Sequence, residues 1–195
     1  ISESELQEGL IYVGTDDGVL NVTEDGGQTW RRTTKFPGVP DMTYIDDVQA
    51  SLHDVNVVYA VMENHKRGDQ KPYVLKSTNK GRTWKSITGN LPERGFAHSI
   101  AEDHVNPNLL FLGTEYGVFV TQDGGTTWSQ MKGNFPTISV RDIEIQRREN
   151  DLVVAPSVAA STSWTTTRHC GPAQRISTTC TCSHRAIRGC SSKAI

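Results

Sequence analysis

TEDGGQTW at residues 23–30 and TQDGGTTW at residues 121–128 are two copies of one turn, and STNKGRTW at residues 77–84 is a looser third copy. The shared pattern is [ST]-x-[DN]-x-G-x-T-W, and its tryptophans, Trp30, Trp84 and Trp128, stand 54 and 44 residues apart. A motif recurring at that interval marks a tandem array of supersecondary units. The interval suits one four-stranded sheet per copy.

The sequence around each copy has the same order. LIYVGTDDGVL at residues 10–20 precedes the first copy, and LFLGTEYGVF at residues 110–119 precedes the third. Each is an apolar run, a Gly-Thr-x-x-Gly turn and a second apolar run, which is the pattern of a β-hairpin. The middle hairpin covers residues 57–62 and 73–76, with a longer polar loop at 63–72. Ahead of each later hairpin, residues 46–56, 98–106 and 141–150 are strand-like and end in a polar turn closed by Asn56, Asn106 or Asn150. Turn signals also match between units: Phe36-Pro37-Gly38, Gly89-Asn90-Leu91-Pro92 and Gly133-Asn134-Phe135-Pro136. The chain is therefore expected to be all-β, a partial β-propeller of about three four-stranded blades over residues 1–155 with the start of a fourth. An unstructured tail over 156–195 is expected to follow.

The motif has a structural task in each copy. Asp25 and Asp123 can accept hydrogen bonds from backbone N–H groups of their own turn; the copies open on Thr23, Ser77 and Thr121, and the middle one has Asn79 in place of Asp. Gly27, Gly81 and Gly125 suit a tight backbone of positive φ, and Thr29, Thr83 and Thr127 begin the next strand. Each of Trp30, Trp84 and Trp128 is expected to bury about 200 Å² against the blade beside it. One carboxylate per turn is too few for calcium, which takes about six to eight oxygens, and the middle copy sets Lys80 beside Asn79. The sequence thus points to no metal and no cofactor.

Net charge is −2, but all 22 acidic residues lie at or before Asp151. The tail carries five cations, Arg168, Arg175, Arg185, Arg188 and Lys193, and all four cysteines, Cys170, Cys180, Cys182 and Cys190. The balance argues against a general nucleic-acid partner. No apolar run reaches the ~18 residues of a membrane span. The tail's cysteines, with His169 and His184, lack the paired C-x-x-C spacing of a zinc site.

Together, the three boxes and the hairpin LIYVGTDDG resemble the Asp boxes, or BNR repeats, of sialidases, of xyloglucan-active glycoside hydrolases and of the sortilin/VPS10 amino-terminal propeller. They are most similar to bacterial sortilin-like or BNR-repeat glycosyl hydrolase proteins, over residues 8–155. The resemblance implies a binding or scaffold module that is not catalytic by itself, with part of a polysaccharide-acting glycoside hydrolase as the alternative. It further implies a parent protein outside the cytoplasm, extracellular or periplasmic, whose remaining blades are this chain's partners. No catalytic motif of those hydrolases transfers to a position here.

The repeat stops one strand into the fourth unit, where LVVA at residues 152–155 gives way to the acid-free, Ser/Thr-rich PSVAASTSWTTTRHC. Regrouping the codons after Ala155 by one base allows TFGRGFYILDDYSPLR, with Asp forced across Trp164-Thr165. LVVA followed by that string is the hairpin the repeat calls for. The tail accordingly reads as translation out of frame.

Propellers bind ligands at the channel mouth, on loops leading into the inner strands. Those loops are residues 35–45, 90–97 and 134–140, and at their ends stand Tyr44, Asp46, Arg94, His98, Arg141 and Asp142. This acid, base and aromatic set suits a carbohydrate or peptide ligand. Asp46 and Asp47 are neighbours on one strand, so alternation predicts that only one of them faces the channel.

Overall fold

The structure, a computed structural model, describes residues 1–132 and 137–157 in full and residues 162–167 and 177–181 by their backbone. Among these, 16 strands form four antiparallel sheets of four. Blade one holds β1 (Ser2–Glu3), β2 (Ile11–Gly14), β3 (Leu20–Thr23) and β4 (Arg31–Thr33). Blade two holds β5 (Tyr44–Ala50), β6 (Val58–Asn64), β7 (Asp69–Ser77) and β8 (Lys85–Ser86). Blade three holds β9 (Ala97–Glu102), β10 (Leu110–Thr114), β11 (Gly117–Thr121) and β12 (Ser129–Gln130). Blade four holds β13 (Val140–Gln146), β14 (Asp151–Pro156), β15 (Thr162–Thr167) and β16 (Ser177–Thr181). Every sheet is a meander whose strands pair in chain order.

Sequence reasoning places only the start of a fourth blade. The structure extends it, because β14 presents an open edge and the β-branched run TSWTTT pairs with it, followed by β16. The expectation of an unstructured tail otherwise falls on residues 158–161, 168–176 and 182–195, which lie outside the described residues. No helix among the described residues is long and apolar enough to cross a membrane.

The core lies between blades. On β6 every residue is buried, because both faces of a central strand are covered. Val58, Ala60 and Met62 join Leu10, Tyr12, Leu20 and Val22 of blade one. The alternate residues Tyr59 and Val61 join Ile100, Leu110 and Leu112 of blade three. Phe111 and Val118 turn the other way, to Val140, Ile143 and Leu152 of blade four.

The three turn motifs are superposable in their bonding. Thr23 Oγ1 donates to Asp25 Oδ1 (2.7 Å) and accepts from the Gly27 N–H, while Asp25 accepts from the Thr29 N–H (2.9 Å) and hydroxyl (2.6 Å). Thr121, Asp123, Gly125 and Thr127 repeat this. In the middle copy Asn79 accepts from the Thr83 N–H (2.8 Å) and donates to the Thr83 hydroxyl (2.7 Å). Gly125 has φ 94°, and a Cβ there would come within 2.8 Å of Ile87 Cβ, so blade three's turn touches blade two where no side chain fits.

These bonds to the charged form hold both carboxyls down to about 2, against an ordinary 3.8. The hydroxyls and N–H groups of Thr29 and Thr127 are the first causes. A lowered folded pKa contributes stability above the unfolded value and loses it as pH falls through the folded one. The contribution of these two carboxylates to the urea midpoint should therefore be constant down to about pH 4 and be lost between about pH 4 and 2. In the D25N/D123N double variant, which copies the middle turn, that acid limb should shrink. Solvent exposure keeps the change modest.

The tryptophans are not equivalent. Trp128 is 3% exposed, sits in the blade two and three core, and donates to the Ile87 carbonyl (2.8 Å). Trp84 packs on the blade one cluster, edge-on to Phe36 with centroids 5.6 Å apart. Trp30 is 48% exposed, which corrects the expectation that all three bury alike. Trp84 and Trp128 each dock on the blade preceding their own in the chain, and no described blade precedes blade one.

Candidate functional site

The innermost strands of blades two, three and four each carry a one-residue bulge at the same place. Register shifts fall between Ile45 and Asp47 on β5, at His98 on β9 opposite Gly113/Thr114, and between Val140 and Asp142 on β13. The extra residues are Asp46, His98 and Arg141. A bulge re-aims its side chain out of the pleat alternation, and here it sends one residue per blade into a common cluster. Of the neighbours Asp46 and Asp47, only Asp46 bonds His98. Asp46 Oδ2 contacts His98 Nδ1 (2.7 Å) and Asp47 Oδ2 accepts from the Ile100 N–H (3.0 Å), so both reach β9. Burial raises the Asp47 pKa, partly offset by the N–H groups of Ile100 and Val48.

His98 is the hub. Its side chain is 1% exposed, with Nδ1 on Asp46 and Nε2 on Glu115 Oε1 (2.9 Å). Burial pulls the imidazole pKa down, but the bonds from Asp46 and Glu115 outweigh it and the net shift is upward. Burial likewise raises Glu115, yet His98 and the Ser139 hydroxyl (2.9 Å) bring it below its usual value. Arg141 closes the cluster, with Nη1 3.3 Å from His98 Nδ1 and Nη2 3.6 Å from Glu115. The arrangement is an ion-pair chain crossing three blades.

A second ring of residues surrounds the hub. Glu63, next to last in β6, has its side chain 6% exposed; its Oε2 lies 2.8 Å from His65 Nδ1 but receives no aligned hydrogen bond. Among the described residues, Asp46, Glu63 and His98 form the group whose spacing could hold a metal, each offering a ligand atom within 4.8 Å of the others. The loop after β6 makes a 3₁₀ turn, His65–Arg67, closed by Gly68 at φ 78°. The His65 ring stacks on Phe96 (5.0 Å, 18°), and Phe96 meets His98 edge-on (5.0 Å, 85°). Tyr44, under the Lys66 ammonium at 5.4 Å, lines a cleft of about 100 Å³ with Asp16, Met42, Glu63, Asn64, His65 and Arg67. Burial, then the charges of Asp46, Glu63 and Asp16, raises its hydroxyl pKa.

The structure thus brings together Asp46, His98 and Arg141, with Tyr44 beside them. Two others named from sequence lie apart. Arg94 lines a separate shallow cleft with Glu93 and Gly68, Asp69, Gln70 and Lys71. Asp142 is exposed and accepts from the N–H of Ile143 (2.9 Å). Glu63, His65, Ser139 and Glu115 were missed. Glu115 was open to detection, since GTEYG and GTDDG align Glu115 with Asp16 in the hairpin turn. The insertion after Glu63 hides the same alignment in blade two.

No family model matches the chain. Xyloglucanase Xgh74A of Acetivibrio thermocellus is 27% identical over 146 residues, covering 68% of this chain and 17% of that protein. The chain spans about a sixth of the length of the curated relatives it matches. Among solved structures, the GH74 xyloglucanase from Xanthomonas campestris matches with TM-score 0.61 at 12% identity, covering 84% of this chain and 28% of that one. The β-propeller domain of Myceliophteria thermophila Cps50 (Swd1) matches with TM-score 0.65 at 9% identity, covering 92% and 56%. At such identities these likenesses show the fold, a β-propeller.

Proposed function

We propose that this chain is a segment of a polysaccharide-acting glycoside-hydrolase propeller, similar to the xyloglucanases, and that it supplies a sugar-binding wall of the channel mouth. The observation that carries the reading is the 27% identity to xyloglucanases across two thirds of the chain. The cleft beside Tyr44 supports it, because an aromatic face with carboxylates around it is chemistry suited to a pyranose ring and its hydroxyls. Asp46 and Glu115 fit binding better than acid catalysis. Both are engaged by His98, and Glu115 is shifted downward, whereas a general acid needs a raised pKa. The reacting carboxylate pair then belongs to other parts of the parent protein. The turn pattern supports a finer placement among Asp-box propellers, with an extracellular or periplasmic parent and the remaining blades as partners.

A binding or scaffold propeller of the sortilin-like kind, with a peptide ligand, is the second reading. It is favoured by the same engagement of Asp46 and Glu115, which leaves the cluster without a free acid and base pair. Native electrophoresis in gels containing xyloglucan separates the two. Retarded migration, weakened in Y44A and without release of reducing ends, is expected from the first reading. Unchanged mobility in xyloglucan and in other β-glucans would sink it.

A further inference from the structure

We propose that Asp46, Glu63 and His98 form a binding site for a divalent cation of the zinc class. The three residues come from two blades and two kinds of element: the bulges of β5 and β9, and the end of β6. Their ligand atoms lie within 4.8 Å of one another. Tetrahedral zinc with bonds of about 2.0–2.1 Å sets its ligands about 3.4 Å apart, so side-chain rotation alone closes the set. The expectation of no metal rested on the turn aspartates and the tail cysteines, and this group involves neither.

Independent of spacing, Glu63 is a deeply buried carboxylate whose Oε2 receives no aligned hydrogen bond. Its close neighbour, His65 Nδ1 at 2.8 Å, is out of line, and a buried carboxylate oxygen so poorly satisfied gains from a cation. His98 is held for ligation in addition. Its Nε2–H donates to Glu115, which fixes the ring, and a cation would take the place of the proton through which Nδ1 donates to Asp46. A carboxylate behind the imidazole is the outer-shell partner that metal-binding histidines use.

Charge favours the same occupant. Asp46, Glu63 and Glu115 bring three negative charges, and Arg141 brings one positive charge against them. A neutral His98 ligating a dication balances the cluster. One imidazole with two carboxylates suits zinc or a similar borderline metal, whereas calcium and magnesium take oxygen sets. Arg141, 53% exposed and 3.3 Å from Nδ1, has room to swing out when the cation enters. Three protein ligands leave a fourth position open beside the Tyr44 cleft.

The test uses the full chain with all four tail cysteines changed to serine, so that thiolates cannot answer for the site. Calorimetric titration with zinc chloride should give one zinc per chain, not displaced by calcium or magnesium. Cobalt should show tetrahedral d–d bands without a thiolate charge-transfer band. E63Q should weaken zinc at least tenfold, with the metal-free far-ultraviolet circular dichroism showing the fold intact. E115Q should weaken it about tenfold through the imidazole's orientation. No zinc bound by the cysteine-free chain, or E63Q binding it as tightly as its parent, would overturn the proposal.

Discussion

Replacing Trp128 with alanine should lower the unfolding free energy by about 4 kcal/mol, whereas the same change at Trp30 should cost under about 1 kcal/mol. The two residues occupy the same place in the same motif, so local propensity predicts equal costs. Their surroundings differ. Trp128 fills the space between blades two and three against Val57, Ile87 and Leu91, and its indole N–H donates to the Ile87 carbonyl. Removing it leaves a cavity in a close-packed interior and a carbonyl without its donor. Trp30 donates to its own turn, to the Gly27 carbonyl at 3.0 Å, with nearly half its surface in water. Urea unfolding of both variants, with the slope compared to check that the denatured state is unchanged, measures the difference. Equal losses at the two positions would mean that the turn, and not the packing between blades, holds the indole's value.

Replacing Glu102 with alanine should cost about 3 kcal/mol, the largest effect expected from any polar side chain in the fold. Glu102 ends β9 at 2% exposure and accepts from blade two three times over. Its donors are the Ser51 hydroxyl (2.8 Å), the Leu52 N–H (2.6 Å) and the Tyr59 hydroxyl (2.9 Å). Burial first, and then the Glu102 charge, raises the Tyr59 pKa far above its usual range. Deleting the carboxylate orphans all three donors in the interior, and the full desolvation cost of each then counts. S51A removes one donor and should cost about 1 kcal/mol. A double-mutant cycle between S51A and E102A should show the two losses to be coupled, because the residues share one network. Additive losses would show that Glu102 acts through packing alone.

Most of the blade plan was legible in the chain. Hairpins and turns are local, so the apolar runs around GTDDG and GTEYG and the boxes ending in Trp30, Trp84 and Trp128 marked strands that the structure contains. The strict two-residue alternation of strands is interrupted at the bulges. Nothing in YIDDVQA or AHSIAE announces a bulge, because a bulge is a relation between two strands and not a property of one. Half of the candidate site was therefore reached by its place at loop ends, and its geometry was not. Arg94 and Asp142 have the right chemistry beside the right strands, yet point elsewhere.

The sequence by itself determined the repeating unit: which segments of the first three blades form strands, where each meander turns, and that the repeat breaks after Ala155, since these depend on residues within a few positions of one another. Tertiary structure alone decided what those units do to each other. It buried Trp128 and left Trp30 in water, ran Glu102 into the blade beside it, and drew Asp46, His98 and Arg141 from three blades onto one imidazole. Burial and charge pairing depend on neighbours some 50 residues away in the chain, and only the stacking of one blade on the next sets which neighbours those are.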